Sequence, residues 1–163
     1  MGSQTVYYFL KDGGFRVRGT VRSMANPVKM DPIKKGLGEL FKDLDIVEAD
    51  LLDPESMKNA VVGSDYVVHT ASPYILANIT DAENQLMKPA VEGTQNVLDA
   101  CNAAGTIKRL VITSSIAAVI APMKADFPAD STFDESNWTH PNSEGLHPYR
   151  KSKTVAERLA WDY

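Results

Sequence analysis

Tyr149 and Lys153 have the side-chain types and spacing that best suit acid–base chemistry in this sequence. They stand four positions apart, so on a helix they share one face and the ammonium lies near the phenol. A phenol titrates near a pKa of ~10, and a nearby cation lowers that pKa by stabilising the phenolate. Ser115 ends a Thr-Ser-Ser run and offers a hydroxyl to hold a carbonyl oxygen. Together they predict a proton-donating centre that polarises a carbonyl group for hydride attack.

The spacing alone is weak evidence, because the same pair arises by chance at Tyr7 and Lys11. Context distinguishes the pair at Tyr149. An apolar stretch ending in Thr-Ser-Ser lies upstream, and the apolar side of the helix continues through Ala156 and Ala160. We therefore interpret Tyr149 as functional and Tyr7 as an ordinary helix residue.

Composition predicts one soluble domain over residues 1–163, with 44% hydrophobic and 23% charged residues and a sizeable core. The net charge of −4 and the scattered Lys and Arg residues argue against nucleic acid and membrane partners. Cys101 is the only cysteine, which excludes an internal disulfide and a cysteine metal cluster. We expect it to be a buried thiol, with no metal site and a reducing cytoplasmic location.

Strand and helix patterns alternate along the chain. The predicted strands are 15–21, 46–49, 66–70 and 110–112. The first predicted helix ends at residue 10, and the others cover 33–44, 53–63, 83–104 and 149 onward. Pro89 should kink or divide the fourth of these helices, and the irregular stretch 121–148 is typical of a functional loop. The alternation predicts an α/β fold with a doubly wound parallel sheet and helices on both faces.

The candidate residues follow the carboxyl ends of these predicted strands. Arg22 follows one strand, Asp50 another, residues 70–73 a third and Ser115 a fourth. Open α/β sheets bind ligands outside this edge. The sequence therefore predicts a single ligand crevice there.

These motifs, in this order, resemble the extended short-chain dehydrogenase/reductase family, and more closely its dihydroflavonol 4-reductase and cinnamoyl-CoA reductase branch, within the NAD-dependent epimerase/dehydratase superfamily. The matching segments are 17–23, 50–53, 68–73, 89–94, 111–115 and 149–157. The resemblance implies an NAD(P)-binding Rossmann-like domain. It also implies a catalytic set of Ser115, Tyr149 and Lys153, with Ser114 as the alternative serine and Lys153 bonding the nicotinamide ribose.

The resemblance further implies which residues bind the cofactor. Arg22 would face the adenosine 2′-phosphate, which favours NADP (NADPH) over NAD. The other implied contacts are Asp50 and Leu51 at the adenine, and Thr70, Ala71, Ser72 and Pro73 along the phosphates and ribose.

The family's opening strand and glycine-rich turn, which cradle the pyrophosphate, are the largest departure. Gly36 and Gly38 supply two glycines, but Phe41 occupies the third place and no strand precedes them. We interpret Gly2 as the last glycine of the motif, because Arg22 follows at the expected distance. We thus expect a partial Rossmann domain, truncated at both ends, without its first strand and C-terminal substrate domain, poorly stable and inactive as given.

The expected reaction is NADPH-dependent reduction of an aldehyde or ketone to an alcohol. The stretch 145–149 does not match the cinnamoyl-CoA reductase signature, nor does it support a dihydroflavonol substrate. Two alternatives stay open: a nucleotide-sugar epimerase or dehydratase, and a non-catalytic nucleotide-sensing or regulatory fragment that pairs through exposed strand edges. We expect His140 and His147 to be solvated loop residues, and His69 to satisfy hydrogen bonds at a strand end.

Overall fold

The computed structural model describes residues 1–120 and 131–163; residues 121–130 of the predicted irregular stretch lie outside the described residues. The described elements are α1 Gly2–Asp12, β1 Val17–Val21, α2 Pro27–Leu37, a 3₁₀ helix Gly38–Asp43, β2 Leu44–Glu48, α3 Pro54–Val61, β3 Tyr66–His69, a π-helical segment Glu83–Met87, α4 Lys88–Ala104, β4 Arg109–Ile112, α5 Ile116–Val119 and α6 Pro148–Asp162. Strands and helices alternate, and the predicted α/β class is confirmed.

The strands form two parallel pairs. In the first pair, β1 lies beside β2 with Val17 opposite Leu44. In the second, β3 lies beside β4 with His69 opposite Ile112. Within the described residues the two pairs are not hydrogen-bonded to each other, so the inner edges of β1 and β3 carry no ladder partner.

The core joins the two strand pairs through α3 and α4. Its buried residues are Ala49, Met57, Ala60, Val61, Val97, Ala100 and Cys101. Val47 of β2, Val67 of β3 and Leu110 of β4 pack against this cluster. Burial raises the pKa of the Cys101 thiol, as expected for a structural cysteine.

The opposite face of the second pair is open to solvent. Tyr66, Val68 and Val111 are 56%, 40% and 49% exposed, respectively. Side chains alternate across a strand, so these residues face away from the core that α3 and α4 cover. Helices therefore cover this pair on one face within the described part of the chain.

Two predicted helices differ in their details from the structure. Residues 33–44 do not form one helix: α2 starts at Pro27, ends at Leu37 and is followed by a 3₁₀ helix. Proline suits the first turn of a helix, and Gly38 ends α2 with a φ of 55°. The predicted helix 83–104 is divided near Pro89, where a π-helical segment ends just before α4 begins. Proline donates no hydrogen bond to the preceding turn, which explains a wider turn there.

Other boundaries follow the predicted signals. Asp53 caps α3 by accepting hydrogen bonds from the backbone N–H groups of Glu55 and Ser56, at 3.1 and 3.3 Å. Gly105 ends α4 in the left-handed region with a φ of 64°. The Asp53 cap starts α3 directly after the loop that follows β2, and the Gly105 stop ends α4 before the chain enters β4.

Candidate active site

Helix α6 brings three chemically active side chains to the carboxyl edge of the strands. Tyr149, Lys153 and Glu157 follow one another at four-residue spacing, which places them along one face of the helix. Ser152 and Thr154 are buried, and their hydroxyls are satisfied within the helix, where they donate to the carbonyls of Tyr149 and Arg150 at 2.8 and 2.9 Å.

Tyr149 lies between an aromatic ring and a cation. The Tyr74 ring meets it edge-on, with the two centroids 5.5 Å apart. The Lys153 ammonium nitrogen lies 5.3 Å from the centroid of the Tyr149 ring. The pair at Tyr7 and Lys11 has a similar separation of 5.7 Å. The cation–ring geometry therefore does not by itself distinguish the two tyrosines.

Lys153 connects the helix to the loop after β3. Its ammonium donates a hydrogen bond to the Ser72 hydroxyl, 81 residues away in the sequence. Burial lowers the pKa of Lys153 to about 8. This contact joins a predicted catalytic residue to the segment 70–73, which is predicted to line the cofactor.

His69 lies under this ammonium at the end of β3. It is 9% exposed, and burial, followed by the positive charge of Lys153, lowers its pKa to about 4. The imidazole is therefore neutral at pH 7. The backbone carbonyl of His69 accepts the Thr113 N–H at 2.9 Å, which is a hydrogen bond at the end of the strand.

Ser115 lies at the start of α5, which packs on α6. Its hydroxyl accepts the Ala117 N–H at 3.2 Å and so caps α5. Ser114 donates its hydroxyl hydrogen bond to the Glu157 carboxylate. Among the described contacts, Ser115 has no hydrogen bond to Tyr149 or Lys153. The structure thus brings Ser115 to the helix that carries the predicted acid without joining them directly.

The predicted adenine contact is held by α3 and α4. The Ser56 hydroxyl accepts the Asp50 N–H at 3.0 Å, and its own proton is shared between the carbonyls of Asp53 and Asp50, at 2.8 and 3.2 Å. The Asn96 amide donates to the Leu51 carbonyl at 2.7 Å. A Cβ on Gly93 would lie 2.9 Å from the Leu51 Cβ. Leu51 therefore has this position because α4 carries a glycine and an asparagine there.

Arg22 is exposed just after β1. Within the described ranges it has no hydrogen bond or ion pair from a protein group. Its guanidinium is therefore available to a ligand at the carboxyl edge. Gly2 lies near the same edge, where an added Cβ would meet the Thr70 hydroxyl oxygen at 3.0 Å.

The expectation that His147 is a solvated loop residue is wrong. Its Nδ1 accepts the Tyr149 N–H at 3.2 Å and caps α6, and its Nε2 lies 3.2 Å from the Leu76 carbonyl oxygen. The histidine thus ties the start of α6 to the loop that carries Ser72. His140 is exposed, as expected.

Sequence reasoning assigned no role to Gly93, Asn96, His147 or Glu157. Gly93 and Glu157 belong to segments that match the family. The match marks their positions, but it does not show what either residue contacts. The contacts of Asn96 and His147 join residues 45 and 71 positions apart. No local pattern identifies such partners.

The described residues lack two features that would indicate other kinds of function. None of the helices described is both long and apolar enough to cross a membrane. In the same part of the chain, no three or more His, Cys, Asp or Glu side chains are grouped so that they could hold a metal ion.

Comparison with known proteins identifies the family. The model of the 3-beta hydroxysteroid dehydrogenase/isomerase family matches residues 16–162. The chain belongs to this family. Among its relatives, tetraketide alpha-pyrone reductase 1 of Arabidopsis thaliana is 38% identical over 152 residues, covering 92% of this chain and 45% of the relative. Cinnamoyl-CoA reductase 1 of Petunia hybrida is 40% identical over 160 residues, covering 94% of this chain and 44% of the relative.

Solved structures of family members have the same fold. The yeast methylglyoxal/isovaleraldehyde reductase complexed with NADPH aligns with a TM-score of 0.78 and 27% identity, covering 98% of this chain and 48% of that chain. The expected Rossmann-like fold and the resemblance to the reductase branch are confirmed. The chain spans about half the length of these relatives. The assignment of individual site residues stays a prediction.

Proposed function

We propose that the protein is an NADPH-dependent reductase that converts an aldehyde or ketone to an alcohol in the cytoplasm. One observation carries the proposal: Lys153 lies on the same helix face as Tyr149 and bonds Ser72 in the loop after β3. A proton donor, a cation and the proposed edge of a nucleotide site are thereby brought together by one side chain.

The polar groups at the carboxyl edge fit NADPH. Arg22 offers an unpaired cation for a phosphate, and cationic side chains are typical 2′-phosphate partners. Ser72 and Lys153 offer a hydroxyl and an ammonium for ribose hydroxyls. NADPH, when bound, supplies the hydride.

The protein's own residues would manage the oxygen of the carbonyl. Ser115 donates a hydrogen bond to that oxygen and orients it. Tyr149 donates its phenolic proton to the same oxygen as negative charge develops there. Lys153 stabilises the phenolate that remains, because its ammonium lies beside the ring.

The relatives support reduction and leave the substrate open. The plant relatives are named for the reduction of a pyrone and a cinnamoyl thioester, and the yeast protein for methylglyoxal and isovaleraldehyde. The residues before Tyr149 differ from the cinnamoyl-CoA reductase signature, so we propose a simple aldehyde or ketone. Arg22 weighs against a nucleotide-sugar epimerase, the alternative within the superfamily.

Titration calorimetry with NADPH and with NADH tests the proposal, on this chain and on a version extended by the family's N-terminal strand and glycine-rich turn, because the chain as given is expected to be inactive. We expect the extended version to bind NADPH more tightly than NADH, and Arg22→Ala to remove most of the difference. Equal affinities of the extended version for the two nucleotides, or no binding of either, would contradict the proposal.

A second candidate is favoured by the two separate strand pairs. The inner edges of β1 and β3 present unpaired backbone groups in the described structure, and such edges pair readily with other strands. The chain would then act as a non-catalytic module that pairs with a longer relative. Co-purification with a full-length relative, together with no turnover of NADPH, would favour this candidate over the reductase.

A further inference from the structure

The Ser114 hydroxyl takes part in two hydrogen bonds. It donates to the Glu157 carboxylate and accepts the Ser115 N–H at 2.5 Å. A hydroxyl has a single proton to donate. Glu157 therefore takes the single proton of the Ser114 hydroxyl.

The Ser115 hydroxyl is arranged differently. It accepts the Ala117 N–H at 3.2 Å, and in the described part of the chain its own proton is donated to no protein acceptor. This proton remains for an oxygen in the crevice. Of the two serines that the sequence left as alternatives, Ser115 keeps its hydroxyl proton free of the described residues and Ser114 does not.

Glu157 reaches Ser114 from the helix that carries Tyr149 and Lys153, 43 residues away in the sequence. The three α6 side chains lie on one face, so a single rigid element fixes the predicted proton donor and the end of the serine segment. Since Ser114 in turn accepts the Ser115 N–H, the position of Ser115 depends on Glu157 through one intermediate.

We propose that Glu157 is a positioning residue, which holds Ser114 so that Ser115 presents its hydroxyl to the carbonyl oxygen. This rests on the proposed reductase function. Glu157 needs no contact with substrate or nucleotide. The positioning role requires only a side-chain oxygen that accepts the Ser114 proton. Glutamine at position 157 should therefore keep this role, and alanine should lose it.

The kinetic test compares Glu157→Ala with Glu157→Gln. We expect Glu157→Ala to lower kcat for NADPH-dependent reduction about 10-fold, because loss of a hydrogen bond to a charged group is worth roughly that factor. NADPH affinity should not change, and Glu157→Gln should stay within about 3-fold of the parent. Asp162→Ala, a carboxylate on the same helix without a described partner, is the matched control.

A double-mutant cycle shows whether the effect passes through Ser114. Adding Glu157→Ala to Ser114→Ala should lower kcat little further, since both changes remove one interaction. Additive losses, or equal losses in Glu157→Ala and Glu157→Gln, would overturn the proposal.

Amide hydrogen exchange of Ser115, followed by NMR on this chain, gives a readout independent of activity. Exchange should be faster in Glu157→Ala and in Ser114→Ala, and unchanged in Glu157→Gln and Asp162→Ala. Unchanged exchange in Glu157→Ala overturns the proposal. If the parent protein reduces no carbonyl, the proposed function fails, while the exchange rates still decide whether Glu157 holds the serine pair.

Discussion

The two sides of the crevice are held in different ways. On the catalytic side, formed by Tyr149, Lys153 and Glu157, two side-chain hydrogen bonds join residues 81 and 43 positions apart. On the nucleotide side, formed by Arg22, Asp50 and Leu51, Ser56 fixes Asp50 from six positions away and Asn96 fixes Leu51 from 45 positions away. Only the predicted phosphate contact is left free, since Arg22 has no protein partner among the described residues.

This difference follows from what each side must do. Groups that move a proton need fixed positions relative to one another before the substrate arrives, because misplacement by about an ångström is costly. A guanidinium that recognises a phosphate can remain solvated until the charge arrives, and the ligand itself then orders it. The side chains of α6 are therefore held before any ligand binds, whereas Arg22 is left free for the phosphate.

The largest expected effect is on the catalytic side. Tyr149→Phe removes the proposed proton donor and keeps the ring that packs on Tyr74, so the rate of carbonyl reduction should fall about 10²-fold or more. Steady-state kinetics with NADPH and an aldehyde would measure it. Tyr7→Phe is the matched control, since Tyr7 also has a lysine, Lys11, four positions on and close to its ring. Equal effects of the two changes would remove the distinction between the two pairs.

The second prediction concerns pH and stability on the same side. His69 has a pKa of about 4 in the folded chain and 6.5 as its ordinary value. Between these values the unfolded state binds more protons, so the free energy of unfolding falls as the pH drops from 6.5 towards 4, by about 2–3 kcal/mol. Denaturant unfolding at several pH values would show it.

Two histidine variants separate this contribution from the carboxylates. His69→Gln should lose the fall between pH 6.5 and 4, whereas His140→Gln, which replaces an exposed histidine, should keep it. A fall of the same size in His69→Gln would show that another group is responsible.

The nucleotide side should be sensitive to volume rather than charge at Gly93. A methyl group there would lie 2.9 Å from the Leu51 Cβ, so Gly93→Ala should lower the free energy of unfolding by about 1–3 kcal/mol. Gly36→Ala, in α2 with no atom within 4 Å of the added Cβ, should instead be neutral or stabilising. Thermal unfolding of both variants makes the comparison.

The smallest expected effect is at Arg22. Arg22→Ala should weaken NADPH binding about 10-fold, consistent with one solvated charge contact, and leave NADH binding unchanged. Arg16→Ala, at the other end of the same strand, is the control. A similar loss for NADH would mean that Arg22 does not read the 2′-phosphate.

Much of the fold could be predicted from the sequence because its signals are local. Neighbouring residues alone determine the apolar runs at β3 and β4, the Asp53 cap and the stop at Gly105. The 33–44 helix failed for the same reason: its periodicity continues across Gly38, where the backbone changes direction.

The site was less predictable, because its contacts join distant residues. Nothing near His147 indicates that its ring caps α6 and reaches the Leu76 carbonyl. The choice between Ser114 and Ser115 likewise depends on Glu157, which only the packing of α6 against the end of β4 brings close. Residue types indicate the proposed chemistry, and the tertiary contacts support the proposed roles.

The most direct test of the central claim is transfer of deuterium from the nicotinamide of deuterated NADPH to an aldehyde, followed by mass spectrometry of the alcohol. The parent for this test is the chain extended by the family's first strand, glycine-rich turn and C-terminal domain, since the chain as given is expected to be inactive. We predict that this parent and its Tyr7→Phe variant form labelled alcohol and that its Tyr149→Phe variant does not. A parent that binds NADPH and forms no labelled alcohol from a broad panel of aldehydes and ketones would contradict the account.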